Sequence, residues 1–179
     1  NAITKAGAPV AAYPFTTVEP NVGIAEVPDE RLQAVAAVVH PERAVPATIR
    51  FLDVAGLVKG ASKGEGLGNQ FLSHIRAADA IAHVVRCFED KNIAHVSGQV
   101  QPASDIEIVN VELALADLTV AEKALRHTEQ NARTNLRYKE RFNILSRIKE
   151  GLERGLPVRS LNLDSDTKKQ ISDLSFLTL

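Results

Sequence analysis

Residues 47–72 read ATIRFLDVAGLVKGASKGEGLGNQFL, and changes of character inside this stretch decide the fold. Ala47 to Val54 alternates and carries Ile49, Phe51 and Leu52, the pattern of a strand. The glycine-rich Gly56 to Gly68 follows directly, and a helix is expected from about Asn69 to Ala77. Upstream, Gly23 to Val27 is a second strand candidate, ended by Pro28-Asp29. Asp29 has the side chain of an N-cap for a helix over Glu30 to Val39, closed before Pro41. Downstream, the apolar run Ala80 to Val85 (AIAHVV) suits a buried central strand, with His83 as a satisfied core residue. Strand, loop, helix and strand in this order predict an α/β sheet with crossover helices.

After about Pro102 the period changes. Asp105 to His127 places apolar residues at 106, 109, 113, 116, 120 and 124, steps of three and four that mark one helix face. Tyr138 to Leu152 repeats the pattern with Phe142, Leu145 and Ile148, and Gly155 and Pro157 end it. Thr128 to Arg137 is read as the turn or a looser helical extension, giving an antiparallel helical hairpin. The early part of the first helix is expected to pack on the sheet. Its later part is expected to pair with the second helix, Val120 or Ala124 meeting Phe142 or Leu145. Asp164 or Ser165 then caps a short helix through Asp173, before the strand-like run Phe176 to Leu179.

Composition narrows the functional classes. Hydrophobic residues are 45% and charged residues 24%, a globular balance, and a formal net charge of −1 gives no whole-chain basic field toward nucleic acid or membrane. One cysteine, Cys87, cannot form an internal disulfide, which suits a reducing cytosol, and no apolar run approaches the ~20 residues that span a bilayer. The expectation is a cytoplasmic monomer with no membrane contact. The chain starts at Asn1 and contains no methionine, and the apolar run Ser175 to Leu179 stops without a turn, so both ends are read as cut.

The chemistry begins at Asp53-Val54-Ala55-Gly56. A carboxylate at a strand end can hold a Mg²⁺ shell through water, and a glycine three residues on lets a backbone N–H approach a γ-phosphate. Upstream, residues 13–23 (YPFTTVEPNVG) place threonines in a loop, as the first switch of a phosphoryl-transfer GTPase does to complete a Mg²⁺ sphere. A second switch needs a loop with two arrangements, and the glycines of 56–68 supply one. Ala8–Val22 and Val58–Gly68 are therefore the expected mobile loops.

These motifs, YPFTT-x-x-PN-x-G, D-x-AGLV-x-GAS-x-GEGLGN-x-FL and HVVRCFED, resemble the Obg superfamily of P-loop NTPases. HVVRCFED and the hairpin after it are similar to its YchF branch, the Obg-like ATPases. The resemblance implies a G-domain core with an incomplete three-layer sheet and an inserted helical hairpin. It divides the chain into a partial G domain at 1–103, the hairpin at 104–157 and a return segment at 158–179. It also implies that Thr17 binds Mg²⁺, with Thr16 a second choice, and that Asp53 and Gly56 serve the Mg²⁺ shell and the γ-phosphate. Leu57 stands where Ras-like enzymes place a water-orienting glutamine, and leucine cannot hydrogen-bond water. His95 matches a histidine given a catalytic role in the branch; the alternative is a surface-loop histidine with no role.

The sequence contains no G-x-x-x-x-G-K-[ST], and the family's base-reading motif and TGS domain are absent from it too. The resemblance therefore implies a parent that cleaves the γ-phosphate of ATP, with GTP as the alternative, and a chain inactive by itself. A different class of reading is a ribosome- or ribosomal-RNA-binding module. Arg126, Arg133, Arg137, Lys139 and Arg141, near Tyr138, make the hairpin tip basic, although such a run also suits a plain solvated helix face.

Overall fold

The computed structural model describes residues 3–4, 21–54, 67–95, 97–132 and 135–179. The chain forms two compact units, Asn1–Gly56 with Asn92–Ala94, and Leu57–Lys91 with His95–Leu179.

In the first unit, β1 (Asn21–Glu26) and β2 (Thr48–Asp53) pair antiparallel, with Asn21 opposite Asp53 and Glu26 opposite Thr48. Val27 N–H donating to the Ala47 carbonyl at 2.8 Å carries the pairing one residue further. Helix α1 (Glu30–Val39) starts where the sequence placed it, because Asp29 caps it and accepts from the Arg31 amide at 3.0 Å. The Arg31 guanidinium also pairs with Asp29 at 2.8 Å and holds that carboxyl below the usual range. His40 closes the helix in the left-handed region at φ 47°. No residue of α1 is buried, and Val35, Val38 and Val39 are all exposed.

The second unit carries the core. Helix α2 (Leu67–Arg76) precedes α3 (Pro102–Ala132), a helix of 31 residues, and α4 (Leu136–Glu153). Proline at the first position of α3 costs no hydrogen bond and pre-sets its φ. The first helix of the expected hairpin is longer than its apolar stripe at both ends. Beyond His127, Thr128 is buried and bonds back to the Ala124 carbonyl at 2.7 Å, and α3 runs on to Ala132. Asn135 caps α4 by accepting from Arg137 N–H at 3.0 Å. Helices α3 and α4 pack on one another through a shared apolar core.

Ala114 and Ala121 of α3 share a cluster with Leu145, Ile148 and Leu152 of α4, with Val120 and Ala124 packed against it. Phe142 stands outside this cluster. Leu145 and Ile148 are fully buried. The early part of α3 packs on α2: Leu113 and Ala116 meet Leu72 and Ile75, with Val109, Phe71 and Leu177 alongside. Within this unit the apolar stripe of α2 covers that part of α3.

Gly155 ends α4 at φ 76°, with its N–H bonded to the Leu152 carbonyl and Leu156 N–H to the Gly151 carbonyl, both at 2.9 Å. This double closure needs the left-handed residue that glycine supplies without strain. At Gly151 a Cβ would lie 2.6 Å from a Leu161 methyl, so glycine lets the short helix η1 (Val158–Leu161) approach α4. Helix α5 (Ser165–Gln170) is capped by Asp164, which accepts from Thr167 N–H at 2.7 Å, and a single turn η2 (Ser172–Leu174) follows. Arg141 of α4 holds these turns through the Gln170 carbonyl and the Asp173 carboxylate.

Two strand expectations are corrected. Ala80–Val85 is not a strand, and Ala80 to Val84, including His83, are exposed. A strand is held by hydrogen bonds to a neighbour, and no described residue pairs with this run, since β1 and β2 pair only with each other. Phe176–Leu179 is also irregular, although Phe176 and Thr178 are buried.

Asp117 of α3, wholly buried, organises that last segment. It accepts from Leu177 N–H at 2.9 Å, Thr178 N–H at 2.8 Å and Thr178 Oγ1 at 2.8 Å. Arg76 pairs with it at 3.4 Å and also donates to the Ser175 and Ala116 carbonyls. Thr178 Oγ1 in turn accepts from Val158 N–H at 3.0 Å, and the Thr178 carbonyl accepts from Arg159 N–H at 2.9 Å. Burial pushes the Asp117 carboxyl up, against the downward pull of these donors and of Arg76.

Asp117→Ala leaves several buried donors without an acceptor, and the expected loss is about 3 kcal/mol in chemical denaturation. A loss below about 1 kcal/mol contradicts the clamp. The pH dependence has a defined sign. A carboxyl raised in the folded state contributes most below its unfolded pKa and loses that contribution as pH rises through its folded pKa. The stability difference between wild type and Asp117→Asn should therefore shift against wild type as pH rises above the ordinary carboxylate range. A difference that stays flat contradicts the raised pKa.

Candidate functional site

Asp53 is the last residue of β2, and its side chain is exposed. Strand geometry explains the placement: Phe51 and Leu52 are half-buried within the ladder, and pairing stops at Asp53 opposite Asn21. The expected Mg²⁺ ligand Thr17, its neighbour Thr16 and the γ-phosphate-contacting Gly56 lie outside the described residues. So do Leu57 and most of both expected switch loops, whose last residues, 21–22 and 67–68, belong to β1 and α2. Among the described residues no group of three His, Cys, Asp or Glu side chains could hold a metal. Mg²⁺ typically keeps several waters and takes one or two carboxylates with substrate phosphates. A single exposed carboxylate such as Asp53 fits that mode of binding.

His95 belongs to the second unit. The HVVRCFED run before it bends at Phe88, and Arg86 donates to the Phe88 carbonyl and the Asp90 carbonyl, each at 3.0 Å. The guanidinium also lies 5.2 Å from the Phe88 ring centroid, within cation–π range. Three groups then meet at His95. Its Nε2 is 3.1 Å from Asp105 Oδ2, its Nδ1 is 2.9 Å from Ser97 Oγ, and Ser97 N–H donates to Nδ1 at 3.3 Å. Ser97 Oγ also lies 2.9 Å from the Gln99 carbonyl, so its single proton serves one of the two acceptors, Nδ1 or that carbonyl. The ring is mostly covered, at 17% exposure, and Asp105 is at 25%.

The structure therefore gives His95 defined partners, whereas Asp53 stands at a strand end in the other unit. Sequence reasoning missed Asp105 and Ser97 as partners of His95. Asp105 was legible only as the start of a helix, since the loop path that brings it to His95 leaves no periodic trace. Of the basic residues at the hairpin tip, Arg126, Arg137 and Lys139 are exposed, as is Tyr138. Arg141 is engaged with Asp173 and the Gln170 carbonyl, and Arg133 lies outside the described residues.

Comparison with known proteins adds the ancestry. A family model described as 50S ribosome-binding GTPase matches residues 1–134. Relatives named "Ribosome-binding ATPase YchF" are 52% identical over 180 residues in Escherichia coli O157:H7 and 52% over 179 residues in Bacillus subtilis strain 168. These alignments cover 100% and 99% of this chain but 50% and 49% of the relatives, so the chain spans about half their length. A solved structure described as the Schizosaccharomyces pombe YchF GTPase superposes with a TM-score of 0.72 at 38% identity, over 93% of this chain and 46% of that one. The α/β G-domain fold and the sequence thus agree, and the chain belongs to the 50S ribosome-binding GTPase family of P-loop NTPases, in its YchF (Obg-like ATPase) branch.

Proposed function

We propose that the parent protein hydrolyses the γ-phosphate of ATP, with GTP as the alternative nucleotide, and acts at the ribosome. The observation that carries the hydrolase reading is the placement of Asp53 at the C-terminal end of β2, where the second switch motif Asp53-Val54-Ala55-Gly56 begins. The names of the relatives, ribosome-binding ATPase, support the nucleotide and the partner. In this reading Thr17 and Asp53 hold Mg²⁺, Gly56 offers its backbone N–H to the γ-phosphate, and His95 acts on the attacking water in place of the glutamine replaced by Leu57. When bound, Mg²⁺ supplies charge neutralisation at the phosphate oxygens. The chain's own task is to bring an oriented water in line with the γ-phosphate and exclude others.

The same proposal keeps the division into a partial G domain (1–103), a hairpin (104–157) and a return segment (158–179). The shared core of α3 and α4 supports treating the hairpin as a module. It also places the protein in the cytoplasm as a monomer. Among the described residues no helix is long and apolar enough to cross a membrane.

Residues 1–179 alone should release no phosphate from ATP above background, because the sequence has no phosphate-cradling G-x-x-x-x-G-K-[ST]. In the intact parent, Asp53→Ala should lower Mg²⁺-dependent turnover about 100-fold and His95→Ala should lower kcat by a similar factor, with ATP affinity nearly unchanged for the latter. Wild-type kcat in the His95 variant would remove it from the reaction, and wild-type turnover in the Asp53 variant would remove the Mg²⁺ role.

The exposure of Arg126, Arg137 and Lys139 favours a second reading, in which the hairpin touches ribosomal RNA phosphates. Neutralising Arg137 and Lys139 together should flatten the salt dependence of ribosome binding by about two phosphate contacts. An unchanged slope would place the contact elsewhere.

A further inference from the structure

The cluster around His95 draws attention to Asp105, a residue outside those proposed above to hold Mg²⁺ and the γ-phosphate. Asp105 lies in the first turn of α3, where the helix dipole alone would favour an acid. The dipole does not explain why its Oδ2 faces His95 Nε2 at 3.1 Å, ten residues back along the chain. A carboxylate can only accept, so this contact places the ring proton on Nε2. The Ser97 amide can only donate, and it points at Nδ1, which agrees with a lone pair there. The two contacts select one tautomer and one ring orientation, and partial burial of both side chains protects the pair from screening.

We infer that Asp105 is a positioning residue for His95: its carboxylate fixes the Nε2–H tautomer, keeping Nδ1 as the nitrogen that can accept from water. The inference rests on the reading of His95 as the group that acts on the attacking water. In this structure the Ser97 amide donates to Nδ1 and the Ser97 hydroxyl lies 2.9 Å from it, so that nitrogen must leave Ser97 before it meets water, while the Asp105 contact can be kept as a pivot. Because Asp105 is part of α3, the pose of the imidazole follows the helix that also forms the hairpin. Displacement of the hairpin by a partner would then be felt at His95.

The test uses the intact parent protein with ATP and Mg²⁺, together with ¹⁵N resonances of its histidine rings. Asp105→Asn keeps the size of the side chain but presents both a donor and an acceptor, so it no longer selects a tautomer. The expected result is a His95 ¹⁵N pattern shifted toward mixed tautomers and kcat lowered ~10-fold with KM unchanged. Asp105→Glu should restore part of both. In a His95→Ala background, Asp105→Asn should change kcat less than about twofold, because the two residues act as a unit. An unaltered His95 spectrum in Asp105→Asn overturns the inference, as does a ~10-fold effect that persists without His95. If His95→Ala itself leaves kcat unchanged, the catalytic reading of His95 fails, and the ring spectrum alone decides whether Asp105 orients it. Protection of the α3 amides in Asp105→Asn, equal to wild type, separates these effects from unfolding.

Discussion

A buried carboxylate with three donors and a guanidinium around it constrains the second unit more than any apolar contact does. Asp117 is inaccessible to water, so each of its lone pairs must be answered from within the protein. Leu177 and Thr178 answer with backbone amides and a hydroxyl, which fixes where the chain passes after η2. Arg76 answers from the end of α2, and the same guanidinium ties the Ser175 and Ala116 carbonyls. One side chain on α3 thereby binds α2, α3 and the final segment together. Apolar packing alone is less selective: Leu72, Ile75, Leu113 and Ala116 would tolerate small slides, whereas a buried hydrogen-bond network has few alternatives.

That fixed relation gives α3 a part to play at both ends. Its first turn carries Asp105 against His95, its middle carries Asp117, and its last turns lead into the hairpin. The hairpin core of Leu145, Ile148 and Ala121 is continuous with Val158, Ile171 and Phe176, so the segment after α4 closes over the same helices. The first unit is built differently. Its two-stranded sheet and α1 are defined by a ladder and by the Asp29 cap, and no residue of α1 is buried.

The elements legible in the sequence were those with local causes. Asp29 announced α1, the pair Gly155 and Pro157 announced the end of α4, and the steps of three and four announced the facing helices. Failures arose where structure depends on partners distant in sequence. The run AIAHVV has strand composition, but a ladder needs a neighbour that composition cannot report. The apolar periodicity of α3 carries no sign that Asp117 is buried, because its donors lie some sixty residues further on. The site was legible in the same uneven way. Asp53 was marked by the strand that ends at it and His95 by motif likeness, while Asp105 became visible only when the loop was seen to fold back.

Native-state hydrogen exchange at the Leu177 and Thr178 amides tests most directly whether Asp117 locks the last segment to the helical core. Both amides should exchange with an opening free energy equal to that of Ala121 in the middle of α3, and Asp117→Asn should lower theirs while leaving Ala121 close to wild type. Exchange of Leu177 and Thr178 at the rate of a frayed terminus in the wild-type chain would contradict the clamp, and with it the organising role of α3.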